Sequence, residues 1–306
     1  MPRISVIIPT YNRSDYVHLA IQSVLHQTYQ DLEIIVCDDG STDNTVEVVK
    51  SFQNSSGPSV LLEALPHNLG VSAARNRAIH LAQGEFIAFL DSDDSWKPAK
   101  LEKQISFLDA HPDCIGVGCN LEVVSHDDKV IQKRYKIVNG LNYSNELFTL
   151  LYNCYITTSC FVVKRDALLL AGLFDIRLQA SEDRDLWYRL PRFGRIGHLE
   201  EILVSYRKHT SSISSSTGHF TAETYIPVIM KTVWYWRNKL TKREQNKILS
   251  HAHLLVAYDA FSAGYLRSSI KHSIMAMFYK HHLIQANKLI VSNISKFFSV
   301  GFTRRQ

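Results

Sequence analysis

The chain has 306 residues, of which 45% are hydrophobic and 21% charged, as in ordinary globular proteins. No apolar run reaches the ~18 residues of a spanning helix and none follows the basic residue near the start, so neither an integral membrane protein nor a signal peptide is predicted. The net charge of +5 hides an asymmetry: residues 231–306 carry 13 lysines and arginines against two acids, a net +11, and residues 1–230 a net −6.

The first hundred residues alternate strand and helix signals. Predominantly apolar runs predict strands over residues 4–8, 32–37, 60–65 and 86–90, the first of them rich in β-branched residues and buried on both faces. Helices are predicted between them, with Ser14 or Asp15 as the first N-cap, Ser41 as the second and Gly70 at the start of the third. Strict alternation of this kind predicts a mostly parallel sheet flanked by helices, an α/β fold.

After a helix near residues 101–108 the pattern becomes mixed. A hairpin over residues 117–137 and strands at Ile156–Val163 and Leu199–Tyr206 are predicted. Strand signals vanish from about Phe220, and the Ser/Thr-rich stretch Thr210–Thr217 is typical of a linker or mobile loop. The sequence therefore predicts an α/β domain over residues 1–219 and a helical C-terminal region over residues 220–306.

The cysteines indicate the redox environment of the chain. Their number is odd and no C-x-x-C pair occurs, which argues against a disulfide scaffold and against a zinc site. A reducing compartment is expected. The five are Cys37, Cys114, Cys119, Cys154 and Cys160.

Polar clusters follow three of the predicted strands. In open parallel sheets ligands bind beyond the carboxyl ends of the strands, so the fold would bring these clusters to one edge. Turns also attract Asp, Asn and Ser, which is the alternative interpretation of any one cluster. The clusters are Thr10-Tyr11-Asn12, Asp38-Asp39 and Asp91-Ser92-Asp93-Asp94.

The residue types at this edge exclude two common nucleotide sites. The sequence contains no G-x-x-x-x-G-K-[ST] phosphate loop, and no G-x-G-x-x-G follows the first strand. An acidic edge can still bind a diphosphate when a divalent cation lies between them. Asp91 and Asp93 stand two residues apart, and such oxygen ligands suit Mg²⁺ or Mn²⁺.

Seven short motifs in order resemble the family 2 glycosyltransferases of the GT-A fold. The resemblance covers roughly residues 3–215, so the helical tail lies outside it. The motifs are Val6-Ile-Ile-Pro-Thr-Tyr-Asn12, Gln27-Thr-Tyr, Asp38-Asp-Gly-Ser-Thr-Asp43, Asn68-Leu-Gly70 with Ala74-Arg-Asn76, Phe89-Leu-Asp-Ser-Asp-Asp94, Glu182-Asp-Arg-Asp-Leu-Trp187 and Tyr206-Arg-Lys-His209.

The resemblance implies a nucleotide-binding role for the first two clusters. Thr10, Tyr11 and Asn12 match the first nucleotide contact, with the alternative that Tyr11 is a packed turn residue. Asp39 matches the acid that receives the N–H of a uracil-type base. Asp38 either contacts the ribose or caps the next helix.

The resemblance also implies a diphosphate site. Asp93 would be the main metal ligand and Asp91 would mainly contact the ribose while also serving the metal, with Ser92 in the same donor-binding motif. Arg75 is expected near the diphosphate or the base edge, because a guanidinium fork suits phosphate; a surface Arg paired with an acid is the alternative.

Catalytic and leaving-group roles are implied for two later motifs. Asp183 matches the catalytic base and Glu182 is the alternative base; if Ser181 caps the helix, Asp183 is instead a capping acid whose basicity the helix dipole weakens. Arg207 would offset leaving-group charge, and His209 would lie over the diphosphate as a metal ligand. A loop residue with a local hydrogen bond is the alternative for both.

Together these motifs predict an inverting enzyme that moves a sugar from a nucleotide-sugar, with a UDP-sugar favoured by Asp39, to an acceptor hydroxyl with Mg²⁺ or Mn²⁺. Its acceptor would be a carbohydrate or a lipid-linked sugar in cell-surface polysaccharide or glycolipid synthesis. A sugar nucleotidyltransferase on a related fold and a non-catalytic nucleotide-sugar-binding homologue are the alternatives.

The basic tail has two main interpretations. In the first, the tail contacts the anionic cytoplasmic leaflet, and the protein is then cytoplasmic and peripheral on the inner face of the plasma membrane. In the second, the tail is a helical cap on the α/β domain with a solvated basic face. No recognition motif supports nucleic acid as a partner.

Overall fold

The computed structural model describes residues 1–53, 57–134, 146–209, 218–279 and 282–302. The chain divides into two compact units, each assembled from several segments. The first comprises Met1–Asn142, Tyr155–Arg177 and Arg189–His209, and the second Tyr143–Cys154, Leu178–Tyr188 and Thr210–Gln306. The boundary at residues 219/220 stays a prediction, and the expected loop Thr210–Thr217 lies outside the described residues.

One mixed sheet forms the centre of the first unit. Its strands in the described part of the chain are β1 Ile4–Thr10, β2 Leu32–Asp38, β3 Val60–Ala64, β4 Phe86–Phe89, β5 Ser95–Trp96, β6 Cys114–Val124, β7 Val130–Arg134, β8 Val162–Lys164 and β9 Arg195–Arg207. Their order is β3-β2-β1-β4-β8-β6-β9-β5, with β7 on β6. Strands β1 to β4 are parallel, whereas β8 is antiparallel to both β4 and β6. The predicted α/β fold with a parallel half and a mixed half is confirmed.

Helices flank the sheet and make up the end of the chain. Helices α1 to α4 and α6 belong to the first unit; α5, α7 and α8 to α11 belong to the second. In chain order they are α1 Val17–Leu25, α2 Thr45–Lys50, α3 Val71–Leu81, α4 Lys100–Ala110, α5 Glu146–Tyr152, α6 Arg165–Ala171, α7 Glu182–Trp187, α8 Gly218–Tyr235, α9 Lys242–Ser262, α10 Leu266–Phe278 and α11 Leu283–Phe302.

The apolar pattern of the strands explains the core of the first unit. All seven residues of β1 are buried, the polar Ser5 and Thr10 included, which is why apolar residues stand at consecutive positions in Val6–Ile8 and do not alternate with exposed polar ones. The side chains of α1 that pack on this sheet recur at helical spacing: Val17, Ala20, Ile21 and Val24 are all fully buried. Burial on both faces holds the ends of β1 and β2 in place, where the polar clusters begin.

Three local predictions are wrong. The N-cap of α1 is Tyr16 and that of α2 is Asn44, so neither Ser14, Asp15 nor Ser41 caps a helix. The strand expected at Ile156–Val163 is a 3-10 turn at Thr158–Cys160 followed by the short β8. The Ser41 hydroxyl accepts from the Asn12 N–H in the loop after β1, and the Ser159 hydroxyl donates to Asp94 in the loop after β4. These contacts between distant segments override the local sequence pattern.

The described end of the chain is helical, as predicted. Thr241 opens α9 with a capping box, in which its hydroxyl accepts from the Glu244 N–H and the Glu244 carboxylate accepts from the Thr241 N–H. Among the described residues, no helix combines the length and the apolar character that crossing a bilayer requires.

Candidate active site

The ends of β1 and β2 lie side by side at the edge where the polar clusters occur. Thr10 pairs in register with Asp38, and the Asp39 N–H donates to the Thr10 carbonyl at 2.8 Å. From the loop after β4, Asp93 Oδ2 lies 3.9 Å from Arg13 Nε in the loop after β1. The three polar clusters thus meet at one edge of the sheet, called here the acidic edge.

Asn12 and Asp38 join the two loops that follow β1 and β2. The Asn12 N–H donates to Ser41 Oγ at 2.8 Å, and Asn12 Oδ1 accepts from the Thr42 N–H at 2.8 Å. The buried Asp38 carboxylate accepts from the Ser41 N–H at 2.9 Å and from Ser41 Oγ at 2.5 Å. Asp38 caps no helix, because the N-cap of α2 is Asn44.

Asp39 joins the loop after β2 to the start of α3. Its Oδ1 accepts from the Leu69 N–H and its Oδ2 from the Gly70 N–H, both at 2.8 Å. The next residue, Gly40, has a φ of 77°, and a Cβ there would lie 2.7 Å from the His67 backbone. Each Asp39 oxygen has a second lone pair, so the carboxylate can also accept from a ligand.

Thr10 and Tyr11 contribute groups of different exposure to the acidic edge. Thr10 Oγ1 is buried and has no hydrogen-bond partner among the described residues. Such a group carries a desolvation penalty of about 1–3 kcal/mol, which a ligand oxygen or N–H would relieve. The Tyr11 ring next to it is 41% exposed and therefore accessible to a ligand.

Asp91 is paired with Arg75 from α3. Arg75 Nη2 donates to Asp91 Oδ1 at 2.8 Å, and the guanidinium carbon lies 5.3 Å from the centroid of the Phe174 ring. The Arg75 side chain is 5% exposed, whereas that of Asp91 is 30% exposed. The pair therefore places a buried cation directly behind a partly open carboxylate.

Asp93 is paired with His209 at the end of β9. His209 Nε2 lies 2.9 Å from Asp93 Oδ2, and the imidazole stacks on the Tyr16 ring with centroids 5.0 Å apart. A carboxylate oxygen and an imidazole nitrogen are both ligand types for divalent cations. Within the described residues no group of three or more His, Cys, Asp and Glu side chains is arranged to hold a metal ion. Asp93 and His209 are thus a two-residue donor set.

Asp94 is buried and serves the loop itself. Its Oδ2 accepts from Ser159 Oγ at 2.6 Å and its Oδ1 from the Arg207 N–H at 2.9 Å. Burial, with the neighbouring charges of Asp93 and Asp91, raises the pKa of Asp94 well above its usual range. Ser92, between Asp91 and Asp93, is also buried.

Ser159 is a residue of this site that sequence reasoning missed. Its hydroxyl accepts from the Asp91 N–H at 3.1 Å while donating to Asp94, and its carbonyl accepts from Trp96 Nε1 at 2.8 Å. It comes from a segment 65 positions away from Asp94 that reads as an apolar strand. No local signal marks it, because its role arises only when the two segments meet.

Arg207, the last residue of β9, hydrogen-bonds to the turn formed by Asp91–Asp94, here called the acidic turn, and to the loop before β7. Its Nε donates to the Asp93 carbonyl at 3.2 Å and its Nη1 to the carbonyls of Ser125 and His126 at 3.1 and 3.0 Å. Nη2 donates to Asp128 at 2.6 Å. The guanidinium therefore joins β9, the loop before β7 and the acidic turn, and its predicted contact with a leaving group stays a prediction.

Glu182 and Asp183 begin α7 in the second unit. Ser181 occupies the N-cap position in a left-handed conformation with a φ of 61°, but its side chain makes no capping hydrogen bond. Asp183 lies in the first turn of the helix, as the alternative interpretation expects. The Asp183 carboxylate accepts from the Arg184 N–H at 2.7 Å. Asp185 on the same helix is buried and pairs with Lys231 of α8 at 3.0 Å. The two predicted base residues are only partly buried, which leaves them accessible.

The sequence matches the model of one family and is similar to a named relative. The model of the family described as Glycosyl transferase family 2 matches residues 5–169. A relative from Escherichia coli, UDP-Glc:alpha-D-GlcNAc-diphosphoundecaprenol beta-1,3-glucosyltransferase WfgD, is 36% identical over 215 residues, 70% of this chain and 80% of that protein.

Solved structures extend the likeness to nearly the whole chain at low identity. S. aureus TarS in complex with UDP-GlcNAc superposes with a TM-score of 0.68 at 19% identity, over 98% of this chain and 92% of that one. The mannosyltransferase PcManGT from Pyrobaculum calidifontis, in complex with GDP-Man and Mn²⁺, has a TM-score of 0.58 at 18% identity and covers 97% of this chain and 88% of its own. The GT-A type of α/β fold is confirmed.

Proposed function

The chain belongs to glycosyltransferase family 2, and we propose that it transfers the sugar of a UDP-sugar to an acceptor hydroxyl with inversion at the anomeric carbon. The acceptor would be a carbohydrate or a lipid-linked sugar in cell-surface polysaccharide or glycolipid synthesis. WfgD supports both parts, because its name gives UDP-Glc as donor and a diphosphoundecaprenol-linked sugar as acceptor. The observation that carries the donor assignment is the acidic edge, where Thr10, Asp39 and the Asp91–Asp94 turn meet.

The nucleoside is bound by the loops after β1 and β2. Asp39 accepts the imide N–H of uracil with the lone pairs that the Leu69 and Gly70 N–H groups leave available. Thr10 Oγ1, buried and without a partner among the described residues, hydrogen-bonds to the nucleoside, and the exposed Tyr11 ring packs against it. Asn12 and Asp38 keep these loops together and act on the nucleoside through them.

The diphosphate would be bound together with a divalent cation, Mg²⁺ or Mn²⁺. Asp93 and His209 would hold such an ion, because Mg²⁺ sites commonly use one or two protein ligands and complete their shell with substrate phosphates and water. When bound, the cation neutralises charge on the leaving diphosphate. Arg75 holds the Asp91 carboxylate in place, and Arg207 holds the Asp93 backbone through its carbonyl.

Asp183 is the catalytic base and Glu182 the alternative. Inverting transfer is a single displacement, so one carboxylate takes the proton of the acceptor hydroxyl as its oxygen attacks the anomeric carbon. The bond to the diphosphate breaks on the opposite side of that carbon, and the nucleoside diphosphate leaves. We place this reaction in the cytoplasm.

A screen of nucleotide-sugars for thermal stabilisation tests the donor assignment. UDP-sugars with Mn²⁺ should raise the Tm, and EDTA should abolish the rise, because a ligand stabilises only the state that binds it. Asp93→Asn should remove the stabilisation, whereas Asp31→Asn, an exposed acid in the loop before β2, should keep it. Stabilisation that is equal with GDP-sugars, or equal in EDTA, would contradict the proposal.

Asp183→Asn tests the base. Removing a general base should lower the transfer rate by at least about a hundredfold while nucleotide stabilisation stays intact. Glu182→Gln is the matched variant on the same helix turn and decides between the two candidate bases. A rate within a few-fold of wild type for Asp183→Asn would reject its role, and a β-linked product from an α-linked donor, read by NMR, would establish inversion.

A further inference from the structure

Helix α10 buries small and hydroxylated residues while it exposes two of its large apolar side chains. Its buried residues are Ser269, Ser273 and Ala276, all small or hydroxylated. Two of its large apolar side chains are exposed, Ile274 by 55% and Phe278 by 74%, whereas Met277 packs on the core. A surface helix in water normally turns its large apolar side chains to the core. The outer face of α10 is therefore suited to an apolar environment.

The buried faces of α10 and α11 are held by hydrogen bonds. Ser269 Oγ donates to the Ala257 carbonyl of α9 at 2.7 Å and accepts from Asn293 Nδ2 of α11 at 2.9 Å. Ser250 Oγ of α9 donates to the Ala276 carbonyl of α10 at 2.9 Å. These hydrogen bonds fix the inner faces of α10 and α11 within the helical end of the chain, so their opposite faces are the ones exposed.

Exposed basic side chains share the outer face of α10. Arg267, Lys271, Ile274 and Phe278 are all exposed and follow one another at spacings of four, three and four residues, which places them on one face of the helix. Basic residues beside large apolar ones on one face are typical of helices that lie in the plane of a membrane interface.

Helix α11 repeats the arrangement. Ala286 and Leu289 are buried, whereas Ile284 and Val291 are 70% and 66% exposed. Lys288 lies between these two at spacings of four and three residues and is also exposed. Two consecutive helices thus each carry an exposed stripe of apolar and basic side chains, here called the outer stripes.

Charge selects the partner of the outer stripes. Residues 260–306 contain seven lysines and arginines and no aspartate or glutamate. We propose that the outer stripes of α10 and α11 bind the surface of an anionic phospholipid bilayer, with Ile274, Phe278, Ile284 and Val291 entering the headgroup region. A second copy of the same face would be repelled by its like charge. The purpose of this contact, to meet a lipid-linked acceptor, rests on the proposed function; the contact itself does not.

Co-sedimentation of the full-length chain with vesicles tests the surface. Wild type should bind vesicles of phosphatidylglycerol and phosphatidylcholine in equal parts at physiological salt, and should bind pure phosphatidylcholine weakly, because anionic lipid attracts the basic residues. Ile274→Ser with Phe278→Ser should weaken binding by at least about tenfold, since burying one large apolar side chain contributes about 1.5–3 kcal/mol. The matched control is Leu170→Ser with Ile176→Ser, exposed residues of the first unit, and it should bind like wild type.

A charge-reversal variant tests the basic residues of the outer stripes. Lys271→Glu with Lys288→Glu should abolish the preference for anionic vesicles. Three results would each overturn the proposal. The wild-type protein does not bind the vesicles, the Ser variants and their controls lose binding equally, or the wild-type protein is a dimer that dissociates in the Ile274/Phe278 variant. UDP with the metal should stabilise every variant of the outer stripes as it stabilises wild type. If UDP stabilises neither wild type nor any variant, the proposed donor site is refuted, whereas the proposed membrane surface is not affected.

Discussion

At the scale of single residues, the hydroxyl of Ser159 holds the acidic turn in its conformation through two hydrogen bonds. It accepts one hydrogen bond from the backbone of Asp91 and donates one to the buried Asp94 carboxylate. Because Asp93 lies between these two residues, the geometry of the proposed metal ligand depends on a serine that contacts no substrate. This makes Ser159 a positioning residue of the donor site.

Replacing Ser159 by alanine should therefore affect both stability and donor binding. We expect a loss of about 1–3 kcal/mol in unfolding free energy, because Asp94 is left buried with one donor fewer. The Mn²⁺ concentration that half-maximally stabilises the UDP complex should also rise. Ser273→Ala is the matched control, because Ser273 Oγ, in the second unit, is buried without a hydrogen-bond partner among the described residues. A Ser159→Ala protein that loses stability but keeps the wild-type Mn²⁺ dependence would make Ser159 merely structural.

The candidate site was predictable where residues follow strand ends. Thr10, Asp39 and Asp93 lie at the end of a buried strand or within four residues after it, so motif and topology together place them at one edge. Ser159 and Tyr16 were not predictable, because their contacts join segments far apart in the sequence and each is an ordinary residue in its local pattern. Arg207 was assigned to the site, but its hydrogen bonds to the Asp93 and Ser125 carbonyls become visible only in the folded chain.

At the scale of elements, the loop after β2 depends on a glycine. Gly40 has a φ of 77°, and its Cα lies so close to the His67 backbone that a Cβ would meet it at 2.7 Å. Gly40→Ala should therefore displace Asp39, lower the Tm and weaken UDP stabilisation. Gly264→Ala is the control, because Gly264 also has a positive φ, 84°, but nothing within 4 Å of a Cβ; only the conformational cost, about 1 kcal/mol, is expected there. Equal effects of the two variants on UDP stabilisation would contradict the role of the close approach.

The packing of α9 on α10 should make the second unit sensitive to acid. His253 is buried on α9, and its Nδ1 lies 2.9 Å from Nδ1 of His272 on α10. Burial, with His272 and Lys271 nearby, lowers the pKa of His253 to about 4. The unfolded chain therefore binds more protons than the folded one between about pH 6.5 and pH 4. The free energy of unfolding is at its full value above this range and falls as the pH drops through it.

The Tm measured between about pH 7.5 and pH 5 checks this sign. Wild type should lose stability toward pH 5, and His253→Gln should lose less, because glutamine does not titrate. Some dependence should remain, since burial also lowers the pKa of His251 to about 4. His80→Gln, an exposed histidine of the first unit, should keep the wild-type slope. A slope for His253→Gln as steep as that of wild type would show that the pair is not responsible.

Long, strongly patterned elements were predicted, and short ones were not. Strand β1 and helix α1 follow from continuous burial and helical spacing. The segment around Ser159 was assigned to a strand because its apolar residues dominate, yet hydrogen bonds to the acidic turn make it a 3-10 turn. The two-residue β5 carries too few residues to show any period.

For the whole molecule, charge and chemistry separate along the chain. The first 230 residues carry the net −6 and contain every residue of the proposed donor site and both candidate bases, whereas the last 76 carry the net +11. An acidic edge requires a cation to bind a diphosphate, and a basic, outwardly apolar end suits an anionic bilayer. The asymmetry in the sequence is thus explained if donor and acceptor are met by different parts of one chain.

Calorimetric titration of UDP in the presence of Mn²⁺ tests the central claim, a metal-dependent UDP-sugar site at the acidic edge, most directly. Wild type should bind UDP more tightly than GDP, and EDTA should weaken UDP binding by at least about tenfold, since one lost charge-assisted contact costs about 1.5–3 kcal/mol. Asp93→Asn in Mn²⁺ should match wild type in EDTA, and Asp31→Asn should match wild type in Mn²⁺. Equal Kd values for UDP with and without the metal, or tighter binding of GDP than of UDP, would contradict the account.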